Sequence, residues 1–138
     1  MSAAAQRRGM LIMSRMRKPT MGEPGASEAS EQRMLVSILK ARGIKFFSVP
    51  NEGRHTYAAH SMFKSMGRLT GVPDLIFIDR SPKTGMPVAI EMKSKKGKVR
   101  KSQSDVHEMM AESGWHVHVA YGFMDALDFL DGLGFNAK

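Results

Sequence analysis

Gly71-Val72-Pro73-Asp74-Leu75-Ile76-Phe77-Ile78, followed after one turn by Val88-Ala89-Ile90-Glu91-Met92-Lys93, is the stretch whose reading decides the fold of this chain. Residues 75–78 are an unbroken apolar run behind a proline, and residues 79–85 carry the Asp, Pro and Gly of a turn. Val88 to Lys93 is a second apolar run, with Pro87 at its start, where a strand tolerates proline. The two runs predict neighbouring strands joined as a hairpin. A strand repeats every two residues, so Ala89, Glu91 and Lys93 share one face and Val88, Ile90 and Met92 the other. The hairpin brings Asp74, at the mouth of the first strand, near Glu91 on the second.

Outward from this pair the pattern alternates between helices and strands. Ser30 is read as the N-cap of a first helix in which Met34, Leu35, Ile38 and Leu39 recur at helical spacing until Gly43. Residues 44–49 read as a strand, and residues 58–66 as a short helix in a polar connection. After a basic loop, Ser102 is read as the cap of a helix that turns Val106, Met109 and Met110 inward. Residues 115–121 form another strand and residues 124–133 a closing helix. The expected fold is α/β: an αβββαβ core, a mixed sheet flanked by helices. Residues 1–27 read as a flexible basic leader, and residues 28–135 as one domain.

Composition narrows the function. The chain of 138 residues has no cysteine, which excludes disulfides, thiolate zinc sites and cysteine nucleophiles. No apolar run approaches a membrane-spanning length of about 20 residues, and the leader's apolar face is too poor for a transit peptide. These features fit a reducing cell interior, and the expected location is cytoplasmic. The net charge is +8 and is concentrated in two places. Arg7, Arg8, Arg15, Arg17 and Lys18 stand against Glu23 in the leader, and Lys93, Lys95, Lys96, Lys98, Arg100 and Lys101 form a run without an acid. Without these stretches, ten basic groups face twelve acidic ones. A near-neutral body with two basic segments suits a polyanionic partner.

The charged residues inside the hairpin need partners, because burying charge alone is costly. A solvated Glu–Lys pair on an edge strand is the plainer account of Glu91 and Lys93, but it leaves Asp74 unexplained. Two carboxylates in one corner repel unless a cation lies between them. Oxygen ligands without a His–Cys set favour a hard ion, Mg2+ or Mn2+. Such an ion polarises a phosphate oxygen and lowers the pKa of a water, and a neighbouring lysine orients that water and offsets developing charge.

These motifs give the chain a specific resemblance. Pro50-Asn51-Glu52-Gly53, Met66-Gly67, Gly71-Val72-Pro73-Asp74-Leu75, Ile90-Glu91-Met92-Lys93, Gly97-Lys98 and Gln103 together resemble the P-D-(D/E)-x-K nuclease superfamily, and within it the virus-type replication-repair nuclease (VRR-NUC) family. The resemblance covers residues 28–133. It implies a hydrolase acting on DNA phosphodiester bonds, with Asp74, Glu91 and the Met92 carbonyl on the metal, Lys93 at the attacking water and Gln103 reaching in from the next helix. It also implies a glutamate on the first helix, acting on the metal through water. Of Glu28 and Glu31, Glu31 is preferred, because positions 31, 35 and 38 share a helical face. Asn51, Arg54, Lys95, Lys96, Lys98, Arg100 and Lys101 are the expected nucleic-acid contacts. The family further implies a homodimer acting on branched DNA in replication or repair. The competing readings are a non-catalytic nucleic-acid-binding module and a restriction-type endonuclease. Two features stay outside this scheme: Tyr57 and Phe63, beside Arg54 and Lys64, could stack on bases or pack locally, and His116 and His118 share a strand face without a third ligand.

Overall fold

The computed structural model describes residues 27–50 and 56–136. Asn51 and Arg54, and the leader through residue 26, lie outside the described residues. The elements run α1 (Glu28–Ala41), β1 (Phe46–Ser48), α2 (Tyr57–Ser65), β2 (Leu75–Phe77), β3 (Val88–Lys93), α3 (Lys101–Glu112), β4 (His116–Tyr121) and α4 (Phe123–Gly132). The four strands make one mixed sheet in the order β1-β2-β3-β4. The pairs β1–β2 and β2–β3 are antiparallel, and β3–β4 is parallel. A parallel pair needs a crossover, which α3 supplies. The expected fold class is therefore the observed one.

The sheet buries both faces of β3, all six of whose residues are inside. Val88, Ile90 and Met92 join Leu35, Leu39, Leu75, Phe123 and Leu130 in one apolar cluster under α1 and α4. Ala89, Glu91 and Lys93 lie on the opposite face, as the two-residue period requires. The pairing Leu75↔Ile90 fixes the register of the hairpin. A slip of one residue would exchange these faces and drive two charges into the apolar cluster.

The helix starts differ from the sequence reading. Ser27, not Ser30, caps α1: its hydroxyl oxygen accepts from the Ser30 N–H at 3.0 Å. Ser30 instead donates its hydroxyl to the Ser27 carbonyl at 2.9 Å. Glu28 is thereby the first residue of the helix. Helix α3 begins after Arg100 rather than at Ser102, because the Gln103 carbonyl oxygen reaches back to accept from the Arg100 N–H at 3.0 Å. Val106 is buried as expected, whereas Met109 is exposed. Among the described residues, no helix is long and apolar enough to cross a membrane.

Candidate active site

One end of the β2–β3 hairpin gathers the charged residues. Asp74 directly precedes the pair Leu75↔Ile90, and its Oδ2 accepts from the Met92 N–H at 2.9 Å. That bond fixes the carboxylate beside Glu91. The Lys93 ammonium lies 3.8 Å from Glu91 Oε2, with both side chains almost wholly buried. Oxygens of Glu28, Asp74 and Glu91 lie within 4.8 Å of one another. Glu91 Oε1 is buried without a hydrogen-bond partner. Burial first, and then the Asp74 charge and a proton shared with it, push the Glu91 carboxyl up to about 8. Lys93 pulls it the other way and Glu28 adds to the rise. The set has the donor chemistry of a hard cation site: three carboxylates, crowded, with one buried oxygen unsatisfied.

The glutamate brought to the pair is Glu28. Glu31, preferred from helix geometry, is carried elsewhere. Its carboxylate accepts from the Phe123 N–H at the start of α4, and a Cβ on Gly122 would come within 3.0 Å of its Oε1. Burial raises the Glu31 pKa, while Phe123 N–H and Lys95 oppose the rise. A carboxylate at a helix N-terminus satisfies free N–H groups and complements the dipole. A signal for Glu28 was present in the sequence. Positions 28 and 35 are seven apart, close to two helical turns of about 3.6 residues, which puts Glu28 nearly in line with the core residue Leu35.

A cleft of about 320 Å³ opens over this corner, lined among others by Arg68, Asp74, Glu91, Lys93, Arg100 and Gln103. Gln103 lines this cleft, with its carbonyl oxygen engaged at the helix cap. Arg100 walls the same cleft, and Lys95, Lys96, Lys98 and Lys101 are exposed along the loop that leads to it. Lys101 also pairs with Asp105 at 3.2 Å. Met92 is fully buried on β3.

Three features lay beyond sequence reasoning. Arg68 and His60 join the cleft from the α2 region, with no periodicity to announce them. His107, one turn after Gln103, has a buried Nε2 without a partner. Its pKa is lowered by burial and by Lys93, with Asp74 opposing. His116 and His118 do not form a metal site among the described residues. His116 Nε2 lies 2.8 Å from Thr84 Oγ1, and His118 Nε2 lies 2.9 Å from Asp125 Oδ1 with its ring stacked on Phe129.

Gly71 sets the cleft's far wall. Its φ is +100°, and a Cβ there would overlap the Ser102 carbonyl and come within 2.9 Å of Gln103 N. The β2 approach and the start of α3 are in backbone contact at this point. Gly71→Ala should cost at least ~2 kcal/mol through backbone strain and the forced displacement of α3. Urea unfolding measures it, and a variant as stable as wild type would refute this packing.

An aspartate at a strand mouth, facing a Glu-x-Lys on the neighbouring strand of a mixed sheet, defines the P-D-(D/E)-x-K nuclease class. The VRR-NUC domain profile matches residues 26–124, most of the chain, and the protein belongs to that family of nucleases. The fold is similar to that of a solved VRR-NUC domain protein, with a TM-score of 0.62 and 22% identity over 82% of this chain and 93% of that one. No curated protein sequence matches the chain.

Proposed function

We propose that this protein is a Mg2+- or Mn2+-dependent endodeoxyribonuclease that cuts DNA at branches or junctions, as a homodimer, in cytoplasmic replication or repair. The observation that carries the reading is the buried, unpartnered oxygen of Glu91, crowded by Asp74 and Glu28 and set beside Lys93. Glu28, Asp74 and Glu91 would hold the ion, with the Met92 carbonyl as a further ligand. A bound ion supplies Lewis-acid polarisation of a phosphate oxygen and a water of lowered pKa.

The chain's own residues do the rest. The Lys93 ammonium, fixed by burial, orients the attacking water and offsets the negative charge that builds on the phosphate oxygens. Water gives up a proton to solvent as its oxygen bonds to phosphorus, the bond to the leaving sugar oxygen breaks, and that oxygen takes up a proton from solvent. The Gln103 NH2 and the Arg100 guanidinium orient the phosphate from the cleft walls. Glu31 serves by holding the start of α4 in place.

One domain offers one reactive corner, whereas a duplex has two antiparallel strands. Symmetric cutting calls for two copies related by a twofold axis. DNA shape and backbone geometry are the determinants in this reading. Cleavage should require Mg2+ or Mn2+, stop on chelation, and run faster on a four-way junction or flap than on linear duplex of the same sequence. Light scattering should report a dimer. Cutting that survives chelation would sink the metal reading. A monomer with equal rates on both substrates would sink the branched-DNA reading.

A further inference from the structure

Helix α2 supplies no residue to the core. None of its residues is buried, and it makes no close approach to another helix or strand among the described elements. A nine-residue helix is marginal alone in water. This one is held at its ends. Thr56 Oγ1 accepts from the Ala59 N–H at 3.1 Å. Arg68 lies 4.6 Å over the Phe63 ring and donates to the Pro50 carbonyl at 3.1 Å. The chain thus fixes a helix that does no packing for the fold.

What the helix does is wall a second cleft, of about 310 Å³, lined by Tyr57, Ser61, Phe63 and Lys64 together with His60, Arg68 and Thr70. The last three residues also line the reactive cleft, so the two spaces adjoin. Tyr57 is 90% exposed, an aromatic ring with no packing role. Arg68 is already held over one ring and is itself exposed. An exposed aromatic face, a flat guanidinium and a lysine beside a phosphate-cutting site are the parts of a stacking platform.

We propose that this second cleft is a nucleobase subsite. It holds an unpaired DNA nucleotide flanking the bond to be cut, with the base stacked on Tyr57 and the phosphate taken by Lys64 and Arg68. The proposal rests on the nuclease reading and deepens it by naming single-stranded DNA next to the cut. Only an unpaired base offers its whole face, because a paired one is stacked within its duplex.

The test is binding of a fluorescent short oligothymidylate to the full chain in chelator, followed by anisotropy, with a blunt duplex in parallel. Tyr57→Ala, at an exposed position, should weaken oligothymidylate binding about 5- to 100-fold. Tyr57→Trp should restore it. The salt dependence should keep its slope, because no ionic contact is lost. Duplex affinity should fall far less. The proposal is overturned if wild type does not bind oligothymidylate, if Tyr57→Ala binds it as well as wild type, or if the variant loses both ligands equally. Binding lost with Tyr57→Ala but no metal-dependent cutting by wild type would refute the nuclease reading and leave the subsite standing. Cutting by wild type with unchanged Tyr57→Ala binding would do the reverse.

Discussion

Glu91→Gln should lose at least ~10²-fold in cleavage rate while making the metal-free protein more stable. Both effects follow from one arrangement. In the wild type a carboxylate is buried beside Asp74 and Glu28, with one oxygen unpaired and Lys93 at 3.8 Å as its compensation. The folded chain holds the Glu91 proton up to about pH 8, against a value of 4.5 without the fold. Ionising this group therefore opposes folding. The metal-free protein loses stability as pH rises from about 4.5 towards about 8, with the loss complete above that range. A glutamine never ionises, and its NH2 can donate to Asp74. It should add on the order of 2 kcal/mol at neutral pH.

Asp74→Asn and Lys93→Ala should lose activity to the same extent, but Lys93→Ala should destabilise, because it removes the buried ammonium that eases Glu91. Thermal unfolding with and without Mn2+ separates these cases. The ion should stabilise wild type and do little for Glu91→Gln, and all three variants should stay folded by circular dichroism. Cleavage by Glu91→Gln at the wild-type rate would refute the assignment.

Much of this corner was legible in the sequence because strand alternation is a rigid rule. Once residues 88–93 are a strand, Glu91 and Lys93 must share a face, and the register that buries Leu75 and Ile90 together sets Asp74 beside them. The first-helix acid was harder. Glu28 and Glu31 both lie near the Leu35 side of α1, and face alone does not say how far along its axis the helix meets the sheet. That depth depends on the Ser27 cap and on the demand of α4 for an acceptor at Phe123, a contact 92 positions away in the chain. Arg68, His60 and His107 were illegible for a related reason. Their place depends on how α2 and α3 sit over the cleft: α2 buries no residue, and the one buried residue of α3, Val106, does not say which of its polar side chains turn to the site. The strand expected at residues 44–49 shortens to Phe46–Ser48, since β1 pairs only with the three-residue β2.

Neutralising Lys95, Lys96, Lys98, Arg100 and Lys101 together to glutamine should weaken DNA binding whatever the base sequence. Each lost phosphate contact should lower the slope of log affinity against log salt by about 0.9 on duplex DNA, so a full set would flatten it by about 4 to 5. The five side chains are exposed on the connection from β3 to α3 and on the first residue of α3, a stretch flanked by Lys93 and Gln103, both in the cleft wall. The segment is held in place. Gly97 N–H donates to the Ser94 carbonyl at 2.9 Å, and a Cβ at Gly97 would lie 3.3 Å from the Lys93 stem. The Lys101–Asp105 pair does not compete seriously, because an exposed pair of this kind contributes only about 0–1 kcal/mol. Single variants should then divide by position. Lys96→Gln, out on the loop, should change affinity and salt slope alone. Arg100→Gln, in the cleft wall, should also lower the rate at saturating DNA, because a group that orients the reacting phosphate acts on the transition state as well as on binding. An unchanged slope in the fivefold variant would mean that this basic face is turned away from the DNA.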